Sequence, residues 1–355
     1  MVWRAVADDN DPGIDGLTRF RRIGSGGFST VYVAWEADFS RWVAVKVLHD
    51  LDEAAHRRFD RERSLMGRSS GHPNVITPIR SGLTSKGRPY LVMQYMEGGS
   101  LEDIIKRGEV LPWREAVALV QPIAEALGES HRSGVLHKDV KPANILLARN
   151  GTPSLTDFGI SSIRGSAATQ TAFTFAHTPP ETFVHGVDGR DERSDLYSLA
   201  STLYNIIAGH APFRQKGNDS QLGWVHRIAN DPVPGLGVDP YLDQFLASAL
   251  AKDPAHRPQN AQEFIAGLDR VLAGGDPLVA QGSAASISPV PGSPTGSLGA
   301  APIPSPKSVP AFTVPNYHQR RWVDAAGWVV AIVAVLAVGG AAWFAFLREP
   351  TDQVA

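Results

Sequence analysis

The run His137-Lys138-Asp139-Val140-Lys141-Pro142-Ala143-Asn144, with Asp157-Phe158-Gly159 soon after it, gathers two acids, an amide and a lysine into a short stretch of chain. These residue types suit transfer of a phosphoryl group from a nucleotide. That reaction asks little covalent chemistry of a protein. It needs metal ions bridging the phosphates, a group that orients the attacking hydroxyl, and positive charge beside the moving phosphoryl. Asp139 can orient the hydroxyl and accept its proton. Asn144 and Asp157 offer oxygen to Mg2+, a hard cation. Lys141, next but one after Asp139, can stand beside the transferred group. The chain contains no cysteine, so disulfides and thiol nucleophiles are excluded.

A nucleotide must be held within reach of these groups. The segment Gly24-Ser25-Gly26-Gly27-Phe28-Ser29-Thr30-Val31 suits a loop over phosphates, because glycine lets backbone approach a ligand with no Cβ between them. Alone, such a Gly/Ser cluster is more often a turn. Further on, Val43-Ala44-Val45-Lys46 alternates as a half-buried strand ending in a lysine does. Taken together, the glycine loop, the V-A-V-K strand, the H-K-D-x-K-x-x-N run and the D-F-G triplet resemble the protein-kinase signature set. The chain is similar to the Hanks-type (eukaryotic-like) serine/threonine protein kinases of bacteria, over roughly residues 18–273.

The resemblance implies an α+β, bilobal kinase fold with a small β-rich lobe and a large helical one. Its cofactors would be ATP with Mg2+, or Mn2+ in its place. Gly24, Ser25, Gly26, Gly27 and Phe28 would cover the phosphates, and Val31, Ala44 and Leu146 would enclose the adenine. Met93 would be the gatekeeper, with Gln94 and Met96 offering backbone groups to the adenine edge. Lys46 would contact the α- and β-phosphates, held by Glu62 on a helix predicted over Leu51 to Met66; Glu53 lies too early for that role. Asp139 and Lys141 would serve catalysis, and Asn144 and Asp157 would hold metal. Lys141 also points to serine/threonine acceptors.

Further residues match in the large lobe. Asp195 corresponds to the acid that braces the catalytic loop, and Glu181 to the acid paired with Arg257. Thr174 matches the threonine that contacts Asp139 and Lys141, while Thr169 and Thr171 are the better phosphorylation sites. Ser29 stands for a third glycine and Lys138 for the arginine that receives an activation-loop phosphate. Phe173, His177 and Pro179 replace glycine, tyrosine and alanine at positions expected to face the peptide substrate. A helix carrying Ala116, Val120, Ile123 and Leu127 is predicted to bend or loosen at Pro122.

The remainder is organised by composition. Residues 1–17 read as a flexible tail and 18–273 as the kinase domain. Residues 274–321 are rich in Pro, Ser and Gly and read as a linker. Ala325 to Leu347 is uncharged over about 23 residues, enough to cross a bilayer, so 322–348 are expected to be a single transmembrane helix. His318, Arg320 and Arg321 precede it and Trp322, Trp328 and Trp343 sit near its ends. The positive-inside rule then puts the kinase domain in the cytoplasm and the 349–355 tail outside, with no sensor domain expected there. Ala337, Ala341 and Ala345 fall four apart and would let two spans pack as a homodimer. Partners are therefore protein substrates and the lipid bilayer. With 34 basic and 36 acidic residues, nothing favours nucleic acid. Two competing readings are a nucleotide-binding pseudokinase scaffold and a kinase-fold enzyme acting on a small molecule. The complete set of Lys46, Glu62, Asp139, Asn144 and Asp157 opposes the first, and the activation segment closed by Pro179-Pro180-Glu181 the second.

Overall fold

The first part of the chain forms β1 (Leu17–Ser25), β2 (Ser29–Glu36), β3 (Arg41–Leu48), β4 (Pro78–Leu83) and β5 (Pro89–Gln94). All pair antiparallel, in the order β1-β2-β3-β5-β4. This computed structural model describes residues 11–26, 29–49, 71–158, 176–186, 189–214 and 220–277, all within the compact unit Met1–Phe312. Gly27, Phe28, the helix predicted around Glu62, Phe173, Thr169, Thr171 and Thr174, most of the linker and the predicted span lie outside the described residues, as does the unit Thr313–Ala355. Among the described residues no helix is long and apolar enough to cross a membrane.

Side chains alternate across a strand with a period of two, and β3 uses both faces. Val43, Val45 and Val47 join Phe20, Ala34, Tyr90 and Val92 in one core, while Ala44 and Leu48 join Leu91 and Met93 in a second core shared with the helical lobe. Lys46 falls on that second face. The strand is thus buried on both sides and continues through Leu48, where the sequence suggested a half-buried strand ending at the lysine. The reason is the large lobe, whose apolar side chains lie against the face that a free sheet would give to water.

The large lobe contains α1 (Leu101–Lys106), α2 (Trp113–Arg132), β6 (Ile145–Leu147), β7 (Pro153–Leu155), α3 (Glu181–His185), α4 (Glu192–Ala208), α5 (Gln221–Asn230), α6 (Pro240–Ala249) and α7 (Ala261–Leu272). α2 runs 20 residues with Pro122 inside it, so the helix continues through the proline. An interior proline costs about 3 kcal/mol. Val120, Ile123, Ala124 and Leu127, all fully buried around it, contribute more than that. α4 is buried at every position from Ser194 to Ile207. A helix enclosed all round forms the centre of its lobe, and the loops that carry the chemistry pack on it. Asp191 caps its start in a reciprocal bond pair with Ser194, and Gly209 ends it at φ 75°, a left-handed turn that glycine makes without strain.

Candidate active site

Between α2 and β6 the backbone is held by side chains. Lys138 and Asp157 have φ of 66° and 65°, a region that costs an L-residue about 1 kcal/mol or more. Asp195, in the first turn of α4, restrains the first of them. Its Oδ1 accepts from the Lys138 N–H and its Oδ2 from the His137 N–H, both at 2.8 Å, with the His131 Nε2 2.9 Å from Oδ2. Burial alone would raise the Asp195 pKa. The donors from His131 and His137 outweigh it and hold the carboxyl below the usual range. His137 is fully buried; its Nε2 donates to the Thr156 carbonyl at 2.8 Å and its Nδ1 accepts from the Asp139 N–H at 3.2 Å. Burial lowers its pKa, which keeps the neutral ring that this pair of bonds requires.

Asp139 is oriented by two donors on one oxygen. Lys141 Nζ lies 2.9 Å and Asn144 Nδ2 3.2 Å from Oδ2, and the same amide nitrogen donates to the Asp139 carbonyl at 2.7 Å. The Asn144 amide is thereby turned with its nitrogen toward Asp139, which leaves its oxygen as the ligating end. The β6–β7 pairing, Ile145 opposite Leu155, extends to a 3.0 Å bond from the Thr156 N–H to the Asn144 carbonyl. Asn144 and Asp157 therefore emerge from adjoining ends of one hairpin. Lys46 Nζ lies 2.9 Å from Asp157 Oδ1, across 111 residues of sequence. An amide oxygen and a carboxylate fit Mg2+, which prefers one or two protein carboxylates completed by phosphate and water oxygens. Among the described residues no ready-made cluster of three or more His, Asp or Glu stands there or elsewhere.

The nucleotide-side residues fall along the sheet and its exit. Gly24 and Ser25 end β1, the Gly26 N–H closes onto the Ser29 carbonyl at 2.9 Å, and Val31 pairs opposite Lys46. Ala44 and Met93 share a core and are register partners. Met96 is buried, and Leu146 packs half-buried against the same core. The Gln94 N–H donates to the Thr77 carbonyl at 3.1 Å, so that amide is not offered to a purine edge. After β5, the Gly98 N–H bonds the Leu147 carbonyl at 2.8 Å, and a Cβ on Gly98 would stand 2.8 Å from that same oxygen. Only glycine lets the two segments approach this closely.

Beyond the D-F-G triplet, Glu181 accepts from Arg257 through both oxygens, at 2.9 and 2.8 Å, and from the Ser194 hydroxyl at 2.6 Å. Burial would raise the Glu181 pKa, but Arg257 and Ser194 hold it lower. His177 departs from its expected place. Its ring is buried, with Nδ1 2.8 Å from Ser201 Oγ and Nε2 3.2 Å from Asn205 Nδ2, both on α4. Pro179 is buried too. Both residues are buried, His177 against the central helix, where their substitution had suggested contact with a peptide. α4 presents hydroxyl and amide side chains there, and the imidazole bonds the Ser201 hydroxyl and the Asn205 amide nitrogen. Burial, with a smaller push from Lys141, takes the His177 pKa down to about 3.

The sequence reading missed Arg190. From just before α4, its Nε donates to Thr182 Oγ1 at 2.8 Å and its Nη1 to the Lys138 carbonyl. No motif flags an arginine there, because its partner on the catalytic loop lies 52 positions away.

Comparison with known proteins agrees with this geometry. The protein kinase domain family matches residues 17–266. Serine/threonine-protein kinase PknK of Mycobacterium tuberculosis is 40% identical over 254 residues, covering 70% of this chain and 23% of that protein. PknB of Mycolicibacterium smegmatis is 36% identical over 337 residues, 89% of this chain and 52% of that one. PknJ of Mycobacterium tuberculosis is 36% identical over 274 residues, 72% and 45% respectively. The chain thus spans about a quarter of PknK and about half of PknB.

Proposed function

The chain belongs to the protein kinase family, and from that premise we propose that it transfers the γ-phosphoryl of ATP to serine and threonine hydroxyls of proteins, its own included. The observation that carries this reading is a pair of contacts: Lys46 on Asp157 across 111 residues of sequence, and Lys141 and Asn144 on Asp139 within the catalytic run. Asp139 orients the acceptor hydroxyl and takes its proton. Lys141 lies on the same carboxylate oxygen and offsets charge on the transferred group. Lys46 would position the α- and β-phosphates, and Glu62 is proposed as its further carboxylate partner. Asn144 and Asp157 would hold Mg2+, or Mn2+, which bridges the phosphates and neutralises their charge when bound. Gly24, Ser25, Gly26, Gly27, Phe28, Val31, Ala44, Met93, Leu146 and the backbone from Gln94 to Met96 would enclose the nucleotide.

The same proposal places the protein at a membrane. The uncharged stretch from Ala325 to Leu347 and the basic residues before it support a single span with the kinase domain in the cytoplasm. Residues 274–321 form the tether, and alanines four apart support pairing of two spans. Thr169 and Thr171 are the proposed autophosphorylation sites. Lys138 would meet such a phosphate as a point charge, without arginine's planar fork, so control should be partial.

Two variants test the catalytic assignment. Lys46→Met and Asp157→Ala should each lower autophosphorylation by about a thousandfold or more while the thermal midpoint stays near that of the parent. Normal activity in folded Asp157→Ala protein would remove Asp157 from the mechanism. Phosphorylation of small metabolites in preference to a generic protein substrate would instead favour the small-molecule reading.

A further inference from the structure

Arg190 joins two parts of the site that the kinase motifs leave unconnected. Its Nε is seated on Thr182 of α3, directly after Glu181, which Arg257 holds in place. Its Nη1 reaches the carbonyl of Lys138. That carbonyl belongs to the peptide bond whose N–H, on Asp139, is accepted by the buried His137 ring at 3.2 Å. The peptide leading into Asp139 is thus gripped at both ends, by an imidazole on its N–H and a guanidinium on its oxygen. The residue before it, Lys138, sits at φ 66° and has its own N–H on Asp195. A strained backbone persists only where surrounding bonds determine it, and here those bonds arrive from Arg190, from Asp195 of α4 and from the buried His137.

The chemistry of the strap matters for control. A planar guanidinium can bind two acceptors in fixed relative orientation, which an ammonium cannot do. The arginine expected in the catalytic run is absent, replaced by Lys138. The arginine that does touch the loop comes from the segment just before α4, and its other acceptor is a neutral hydroxyl. Nothing in this contact calls for a phosphate. Arg190 also lies in the field of Asp195, Asp139 and Glu181, which favours its charged form although burial lowers its pKa.

We infer that Arg190 is a positioning residue for Asp139: it fixes the Lys138–Asp139 peptide against the end of the activation segment, so that alignment of the catalytic loop does not wait on activation-loop phosphorylation. The inference rests on Asp139 acting as the catalytic carboxylate, and adds to that assignment a cis-acting substitute for the phosphate–arginine link.

The experiment uses the full chain with a generic protein substrate. Arg190→Met, which keeps the bulk and removes the donors, should lower kcat about ten- to a hundredfold and leave the KM for ATP within about twofold, since Lys46 and the hinge are untouched. Free guanidinium ion should recover part of that kcat, and Arg190→Lys should fall between the two. The double change Thr169→Ala, Thr171→Ala should cost several-fold in the parent and distinctly more in the Arg190→Met background. Unchanged kcat in Arg190→Met overturns the inference. So does a parallel loss of kcat and ATP affinity without guanidinium recovery, or an equal cost of the threonine changes in both backgrounds. If Arg190→Met does not fold, Thr182→Val carries the test: a kcat loss of about threefold at constant KM supports the strap, and an unchanged kcat overturns it. Asp139→Asn is the separate control. Full activity there would sink the kinase assignment itself, whatever the Arg190 variants do.

Discussion

A buried histidine that cannot take up a proton makes stability depend on pH. His177 is enclosed against Ser201 and Asn205, and burial brings its pKa to about 3. In the unfolded chain it would titrate near 6.5. Between those values the unfolded state binds more protons than the folded one, so the contribution of this group is fully present above about pH 6.5 and is lost as pH falls toward 3. The loss amounts to a few kcal/mol, on the order of 1.4 kcal/mol for each unit of difference. His177→Phe should therefore behave in two ways. It should lower the denaturation midpoint at pH 8, because the α4 hydroxyl and amide lose their partner, and flatten the fall in stability between pH 6.5 and 4. Chemical denaturation of parent and variant at several pH values checks this. Parallel curves would show that folding leaves the proton affinity of His177 unchanged.

At the scale of elements, the large lobe is joined by a few buried polar contacts between its helices. The Arg257 side chain is wholly buried and serves four acceptors: both oxygens of Glu181 and the carbonyls of Ala251 and Lys252. Its guanidinium also lies 4.7 Å from the Tyr197 ring of α4. This one side chain links the start of α3, the middle of α4 and the segment leading to α7. Arg257→Met leaves a carboxylate buried without its partner and should cost about 3–5 kcal/mol, read as a shift in the urea midpoint. Adding Glu181→Gln should return part of that, because the uncompensated charge is then gone. A double variant no more stable than Arg257→Met would mean that the lost carbonyl bonds, rather than the ion pair, dominate. Gly98 shows a steric version of the same coupling. Gly98→Val must push β6 away from the end of β5 by collision with the Leu147 carbonyl, and should weaken ATP binding more than it lowers kcat. An unchanged KM for ATP would show that the hinge accommodates the side chain.

At the scale of the whole molecule, composition predicts a catalytic domain on a tether. A chain ending near Pro315 should stay in the supernatant after ultracentrifugation with its kinase activity intact, whereas the full chain should sediment with membrane. Because the chain has no cysteine of its own, Gln353→Cys provides a single labelling site. An impermeant maleimide should react with it in whole cells. Labelling only after lysis would reverse the proposed orientation, and a soluble full chain would remove the span altogether.

The sequence by itself determined the family, the bilobal class and the residues that could carry the chemistry. Glycine runs, a lysine at the right distance in an apolar strand, and the acids of the two catalytic runs are local patterns, readable without knowing what packs on them. The Glu181–Arg257 pair and the role of Asp195 as a brace were also legible, because the resemblance supplied partners that distance in the chain conceals. Tertiary structure alone decided the rest. Pro122 stays within a continuous helix because the surrounding core outweighs a missing hydrogen bond. β3 is buried on both faces because a second lobe lies against it. His177 turns into the protein because α4 offers it polar partners. Arg190 matters through a carbonyl 52 residues away. Each of these depends on which side chains come to lie beside one another, and that is a property of the packed chain that residue type and spacing do not carry.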